Sequence, residues 1–350
     1  MNSLVLILLK DKIDFSFFSK NGGKELRTGT VDSFRSSGIK KALEKIFTEL
    51  NANGLKPDFA AIRAQYGGSL FTKPELVDNG LLKRLQSLTA QAPLHIPPLI
   101  ALAGELRKIR PKIPLVIVFE TAFFTALPER EKSYALSREL SEKLNLRRLG
   151  YHGVFHMGAA EEAAGNGASK LISICLEPRP EIAAVMDGAP LLTTSGATPL
   201  EGLPGETSSG EIDPLIITQL SKKLNYGPEQ INDILSQKSG ILGLTGKRTA
   251  LPEVFYSCDP AFSLAREIME YRILLACGSC IAVMGGVDMI VFSGRFHFLG
   301  GRLEKLLRRK LQINDAGKIK YEIFTQSLPS LLTDFAESLI IGKEIREKTL

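Results

Sequence analysis

The strongest constraint on the fold is a rhythm that occurs twice along the chain. Residues 4–9, 13–18 and 24–31 are short runs of strand character, separated by turn residues at Lys10-Asp11 and at Asn21-Gly22-Gly23. Such runs describe an antiparallel meander. Residues 40–51 follow with Ala42, Ile46, Phe47 and Leu50 on one helical face, and strands are expected at 59–63 and 114–119. The second of these reads PLVIVF, a β-rich apolar run suited to a central strand buried on both faces. After a helix at 135–144 the order begins again, with strands at 170–176, 182–186 and 189–194. Helices follow at 214–224, 228–238 and 261–284, then a strand at 289–292 and a helix at 301–311. Two successive units of meander, helix and strand predict a duplicated α/β domain with a cleft between the halves.

The length agrees with this. A chain of 350 residues with 44% apolar content exceeds what one core serves, so two domains of roughly 100–200 residues are expected. The net charge of +6 is spread without a block of like charges. Arg302, Lys305, Arg308 and Arg309 share a helix-like segment that lacks interleaved aromatics, and this reads as a solvated face rather than a nucleic-acid footprint. Residues 4–9 form the only early apolar run, with no basic stretch before it and no small-residue cleavage site after it. No later run reaches the ~18 residues of a membrane span. No membrane partner is expected, and a cytoplasmic location is the default. Of the four cysteines, Cys277 and Cys280 have CxxC spacing but lie in the apolar segment 273–283. There core packing is the better reading than metal or redox chemistry, and with Cys175 and Cys258 they make no disulfide framework.

Six motifs stand in a fixed order: Ala-Pro-Leu-His-Ile-Pro-Pro (92–98), Val-Ile-Val-Phe-Glu-Thr-Ala-Phe (116–123), Leu-Gly-Tyr-His-Gly-Val-Phe-His (149–156), Thr-Pro-Leu-Glu-Gly-Leu (198–203), Gly-Glu-Ile-Asp-Pro (210–214) and Lys-Ser-Gly-Ile-Leu-Gly-Leu-Thr-Gly (238–246). In this order and at these spacings the chain resembles the acetate kinase family, in the acetate and butyrate kinase branch of the actin-like ATPase superfamily, over roughly residues 1–340. The resemblance implies an α/β fold of two actin-like ATPase (ribonuclease H-like) domains, one built from residues 1–122 with 336–350 and the other from 123–335. It also implies Mg²⁺ and ATP as cofactors, phosphoryl transfer to a small carboxylate to give an acyl phosphate, and a homodimer.

It further assigns residues. Arg63, in Ile-Arg-Ala-Gln-Tyr-Gly-Gly, matches the arginine that holds the substrate carboxylate and the transferred phosphoryl group, and a guanidinium fork suits planar carboxylate oxygens. His95 matches the histidine of the proline-framed loop, with Ile96 in place of an asparagine. Glu120 stands where the family has an essential aspartate; its extra methylene moves the carboxylate, and a misplacement of about 1 Å can cost roughly a hundredfold. A helix-capping role for Glu120 remains the alternative. His152 matches the histidine that stabilises the transition state and His156 its neighbour four residues on. His156 and His297 also suit satisfied core positions.

The phosphate-handling positions depart from the family. Its small-residue first turn is Leu9-Lys10-Asp11-Lys12 here, which reads as a polar hairpin, with Lys10 or Lys12 as an alternative cation. The second phosphate loop is Leu176-Glu177-Pro178-Arg179-Pro180-Glu181, in which two prolines remove donors and two glutamates add negative charge. Arg179 can act for or against an anion. Ser208 replaces an arginine, Arg295-Phe296-His297-Phe298-Leu299 replaces a glycine-rich turn, and Ser330-Leu331-Leu332-Thr333 replaces a carboxylate-bearing run near the C-terminus. No nucleotide-binding or metal-binding residue is assigned. The expectation is therefore a short-carboxylate kinase with activity lost or impaired, or a non-catalytic relative that holds a small carboxylate or a partner protein.

Overall fold

The computed structural model describes residues 1–19, 23–33, 35–311 and 319–349. Asn21 and Gly22 of the expected second turn lie outside the described residues. The chain divides into two compact units, residues 1–125 with 326–350 and residues 126–325.

The first unit opens with the expected meander, β1 (Ser3–Leu8), β2 (Lys12–Phe18) and β3 (Glu25–Asp32), followed by α1 (Arg35–Ala52), β4 (Phe59–Ala64), β5 (Glu75–Leu76), α2 (Asn79–Ser87), α3 (Ile96–Ile109) and β6 (Leu115–Phe119). Its sheet has the order β3-β2-β1-β4-β6-β5. The three meander strands are antiparallel, and β4 and β6 continue from β1 in parallel. β6 is buried along its whole length, as its unbroken apolar run demands.

The second unit carries α4 (Glu129–Lys132), α5 (Arg138–Leu144), α6 (Gly153–Gly165), β7 (Lys170–Cys175), β8 (Glu181–Met186), β9 (Ala189–Thr193), α7 (Pro214–Leu224), α8 (Pro228–Gln237), α9 (Gly240–Thr245), α10 (Leu251–Tyr256), α11 (Ser263–Met284), β10 (Met289–Ser293), α12 (Gly300–Lys310) and β11 (Lys320–Ile323). Its sheet, read β9-β8-β7-β10-β11, repeats β3-β2-β1-β4-β6 in order and in strand direction. The duplication predicted from the rhythm is thus the observed architecture. Strand alternation sends Ile172 and Ile174 of β7 into one core with Phe255, Met269, Ile273 and Phe292, while Ser173 faces His156 of α6 on the opposite side. α11 and α6 therefore cover opposite faces of this sheet.

The chain returns to the first unit through α13 (Leu328–Thr349), which packs on β1, β4 and β6. Cys277 and Cys280 are fully buried in α11, and burial pushes the Cys277 thiol up to about 12, so they pack rather than react. The basic face of α12 is less simply solvated than its sequence suggests. Arg308 lies 4.2 Å from the ring of Tyr321 and Arg302 pairs with Glu270, because aromatic and acidic partners come from elements distant in sequence. Among the described residues no helix is long and apolar enough to cross a membrane.

Candidate active site

In the first unit the parallel strands β4 and β6 deliver two candidate residues to the same sheet end. Arg63 is the penultimate residue of β4, paired in register with Val118, and Glu120 directly follows β6, its N–H donating to the Ala64 carbonyl at 2.9 Å. The carboxyl ends of parallel strands are where open α/β sheets place ligands. Glu120 is fully buried, and an unpaired carboxylate there would be costly. Arg63 Nε donates to Glu120 Oε1 at 2.5 Å. This contact uses the inner nitrogen of the guanidinium, and the two terminal nitrogens of Arg63 have no protein partner among the described residues.

His95 stands at the N-cap of α3, with Pro97 and Pro98 in the first turn, where their fixed φ suits the helix and no donor is lost. Ile96 is buried and anchors that helix start, which accounts for an apolar residue beside the histidine. Desolvation of its protein-facing side and then the neighbouring Arg63 guanidinium hold the His95 pKa below the ordinary value, so the ring is neutral at pH 7. Two residues not expected from the motifs tie this region together. Thr121 Oγ1 accepts the Gly67 N–H at 3.0 Å, and Tyr66 donates to Gln91 at 2.9 Å. Both hold the loop after Arg63, and a side chain on Gly67 would meet the Phe119 ring at 2.8 Å. The Gly67-Gly68 pair was the visible signal of that close approach.

His152 belongs to the second unit, where it precedes α6. Its Nε2 lies 3.0 Å from the Arg179 carbonyl oxygen, and its N–H, with that of Tyr151, donates to Glu181 at 2.7 and 3.1 Å. Thr193 Oγ1 donates to the same carboxylate at 2.6 Å, and His156 Nε2 lies 3.7 Å away. Burial alone would raise the Glu181 pKa; the His156 ring, the His152 ring and the Thr193 hydroxyl outweigh it and bring the group down to about 2. His156 is a fully buried core histidine, as expected, with Nδ1 2.8 Å from Ser173 Oγ.

The reading of Glu177 and Glu181 as charges that repel anions needs correction. Glu181 is spent inside the protein on the start of α6. Glu177 Oε1 accepts the Arg295 N–H at 2.7 Å, which ties the 176–181 loop to the 295–299 turn. Both charges are locally compensated.

The family profile described as "Acetokinase family" matches residues 2–298. The chain belongs to that family. It is 36% identical over 258 residues to the acetate kinase of Thermosipho africanus, covering 71% of this chain and 62% of that protein's length. It is 33% identical over 365 residues to the acetate kinase of Thermoanaerobacter pseudethanolicus, covering 95% and 88%. Among solved structures, acetate kinase of Porphyromonas gingivalis superposes with a TM-score of 0.86 at 22% identity, covering 97% and 99% of the two chains. A propionate kinase from Francisella tularensis gives 0.83 at 25% identity, covering 95% and 98%. The actin-like ATPase architecture expected from the motifs is therefore the fold.

Set against the acetokinase resemblance, the phosphate-handling positions are built for other contacts. Leu9 donates its N–H to the Lys12 carbonyl at 2.8 Å, closing the polar hairpin that its sequence suggested. Leu176 is buried at the end of β7, and the Pro178 carbonyl accepts the Glu206 N–H. Ser208 is only 1% exposed and faces inward, so that a Cβ on Gly205 would lie 2.5 Å from its Oγ. His297 is half-buried rather than a core residue, its Nδ1 2.9 Å from the Gly294 carbonyl, and Phe298 is exposed. Leu331 and Leu332 are core residues of α13, and the Thr333 hydroxyl lies 2.9 Å from that of Ser3. No group of three metal-ligating side chains occurs among the described residues.

Proposed function

We propose that this acetokinase-family chain binds a small carboxylate of the acetate class through Arg63, and that ATP-dependent phosphorylation of that ligand is lost or strongly reduced. The observation that carries the reading is the Arg63–Glu120 contact. It fixes the guanidinium through Nε and leaves the terminal pair, the fork that matches a planar carboxylate, available to a ligand. His95, whose pKa desolvation and the Arg63 guanidinium hold below the ordinary value, adds no competing charge beside it. Arg63→Gln is expected to weaken acetate binding at least about tenfold by calorimetric titration while the fold persists by circular dichroism; unchanged affinity would remove the reading. A non-catalytic, regulatory role is favoured over a slow enzyme by the inward-packed Ser208 and by Thr333 within the α13 contact.

A homodimer is part of the same proposal. α7 has no buried residue although it carries Leu215, Ile216 and Ile217, and Arg272 pairs with Glu211 at 3.5 Å, which brings the start of α7 beside the exposed Tyr271 of α11. Exposed apolar residues of this kind suit an interface, here assigned to a second copy of the chain. Ile216→Asp is expected to halve the mass measured by light scattering on a sizing column. A monomeric parent protein would overturn the assignment.

A further inference from the structure

We propose that a cavity lined from α4 and α5 binds a neutral polyhydroxy compound of monosaccharide size. Ser133 and Arg147 pair as an isolated antiparallel bridge, which closes residues 134–146 into one excursion of the chain. That excursion and the adjoining α4 line a cavity of about 580 Å³, within the ~300–1,000 Å³ typical of small-molecule sites. α5 is oriented unlike a helix that merely covers a core. Arg138, Ser141 and Glu142 share one face and line the cavity, whereas Leu140 and Leu144 lie on the other side and are 42% and 57% exposed. No residue of α5 is buried. An ordinary surface helix does the reverse, apolar side in and polar side out, so the polar lining is not a by-product of core packing.

The lining selects a class of ligand. Its charges cancel, because Arg138 Nε donates to Glu142 Oε1 at 2.7 Å and Arg147 pairs with Glu129. A free anion or cation would compete with a partner already in place, whereas a hydroxyl, donor and acceptor at once, adds to both members of an ion pair. Ser141 Oγ is buried and has no hydrogen-bond partner among the described residues; one turn about χ1 offers it to a ligand. Adjacent hydroxyls on one ring match the side-by-side donors of a guanidinium and the paired oxygens of a carboxylate. The rest of the wall is apolar. Leu136 and Leu146 contribute to it with Tyr134, whose hydroxyl is taken up by Glu201 and the Ala197 N–H, so that its ring is what it adds. An aromatic ring beside aliphatic groups suits the C–H face of a pyranose or furanose, whose hydroxyls lie around its rim.

This proposal is independent of the carboxylate reading, since Arg63 and Glu120 belong to the first unit. Saturation-transfer NMR and calorimetric titration of the full chain with D-glucose, D-galactose and D-ribose test it, with serine as a zwitterion and sulfate as an anion for comparison. At least one aldose is expected to bind with a millimolar dissociation constant and to receive saturation at its ring C–H protons. Arg138→Ala, at a side chain 90% exposed, should leave the melting temperature unchanged and weaken that binding at least about fivefold, the size of one or two lost hydrogen bonds. Ser141→Leu, which fills the cavity, should abolish it, and Arg63→Gln should leave it intact. Wild type that binds none of the three aldoses at tens of millimolar overturns the proposal, as does aldose binding that survives both substitutions in α5. Serine or sulfate bound through Arg138 in place of an aldose overturns the assigned class and the proposal with it.

Discussion

Supplied with Mg-ATP and acetate, the purified protein is expected to form acetyl phosphate at no more than about a thousandth of the rate of an active acetate kinase assayed alongside. Phosphoryl transfer relies on positioning and on neutralising charge at the transferred group, and loss of one arginine from such a site costs ~10³–10⁵ in rate. Ser208 stands at that position with its side chain packed against Gly205. The other changes remove supports of the same kind: Glu120 is committed to Arg63, and position 333 is a threonine bonded to Ser3. Their effects are not multiplied, since groups that act as a unit are not additive. Restoring arginine in Ser208→Arg should give no recovery beyond about tenfold. The inward space at 208 holds a hydroxyl, and Gly240, whose Cβ would lie 3.0 Å from the Ser208 nitrogen, keeps that backbone from moving aside. Trapping the product as the hydroxamate measures both rates. A parent rate within tenfold of the control would show that Arg179 or another cation performs the missing neutralisation, and would remove the loss of activity from the proposed function.

The sheet of each unit was legible because period-2 runs and turn residues are local signals, and β1 to β3 and β7 to β9 follow them within a residue or two. Helices were legible where one face is apolar, as in α1 and α8. α6 escaped because its residues, Gly-Val-Phe-His-Met-Gly-Ala-Ala, are small or buried nearly all round and leave no stripe. α5 begins three residues later than its pattern suggested because Ser137 caps it, accepting the Leu140 N–H at 3.2 Å. In the candidate site, residue identities were readable from motifs, but partners were not. Nothing in the 176–181 stretch distinguishes Glu177, which meets residue 295, from Glu181, which meets residues 151 and 152, because each pairing spans a long separation in sequence. For the same reason Arg179 was ambiguous.

Glu181→Gln should lower the melting temperature of the second unit by roughly 10 °C at pH 7. The carboxylate accepts from the Tyr151 and His152 N–H groups and from Thr193, and lies against His156, all without solvent. An amide of the same shape keeps one acceptor oxygen but turns an NH₂ toward donors, leaving buried groups unpaired, a change worth about 3–5 kcal/mol; at ~2–4 °C per kcal/mol for a unit of this size, the shift follows. The pH dependence supplies the second reading. Because the native pKa, about 2, lies below the ordinary 4.5, the charged group stabilises the fold fully above about pH 4.5 and that contribution, roughly 3 kcal/mol, is lost as pH falls toward 2. The variant has no such group, so the gap in melting temperature between the two proteins should narrow between pH 5 and pH 3. Thermal melts followed by circular dichroism across that range decide it. A gap that stays constant with pH would mean that the amide disrupts packing rather than removing a charge, and that the start of α6, with His152 on it, is held by shape and not by the Glu181 carboxylate.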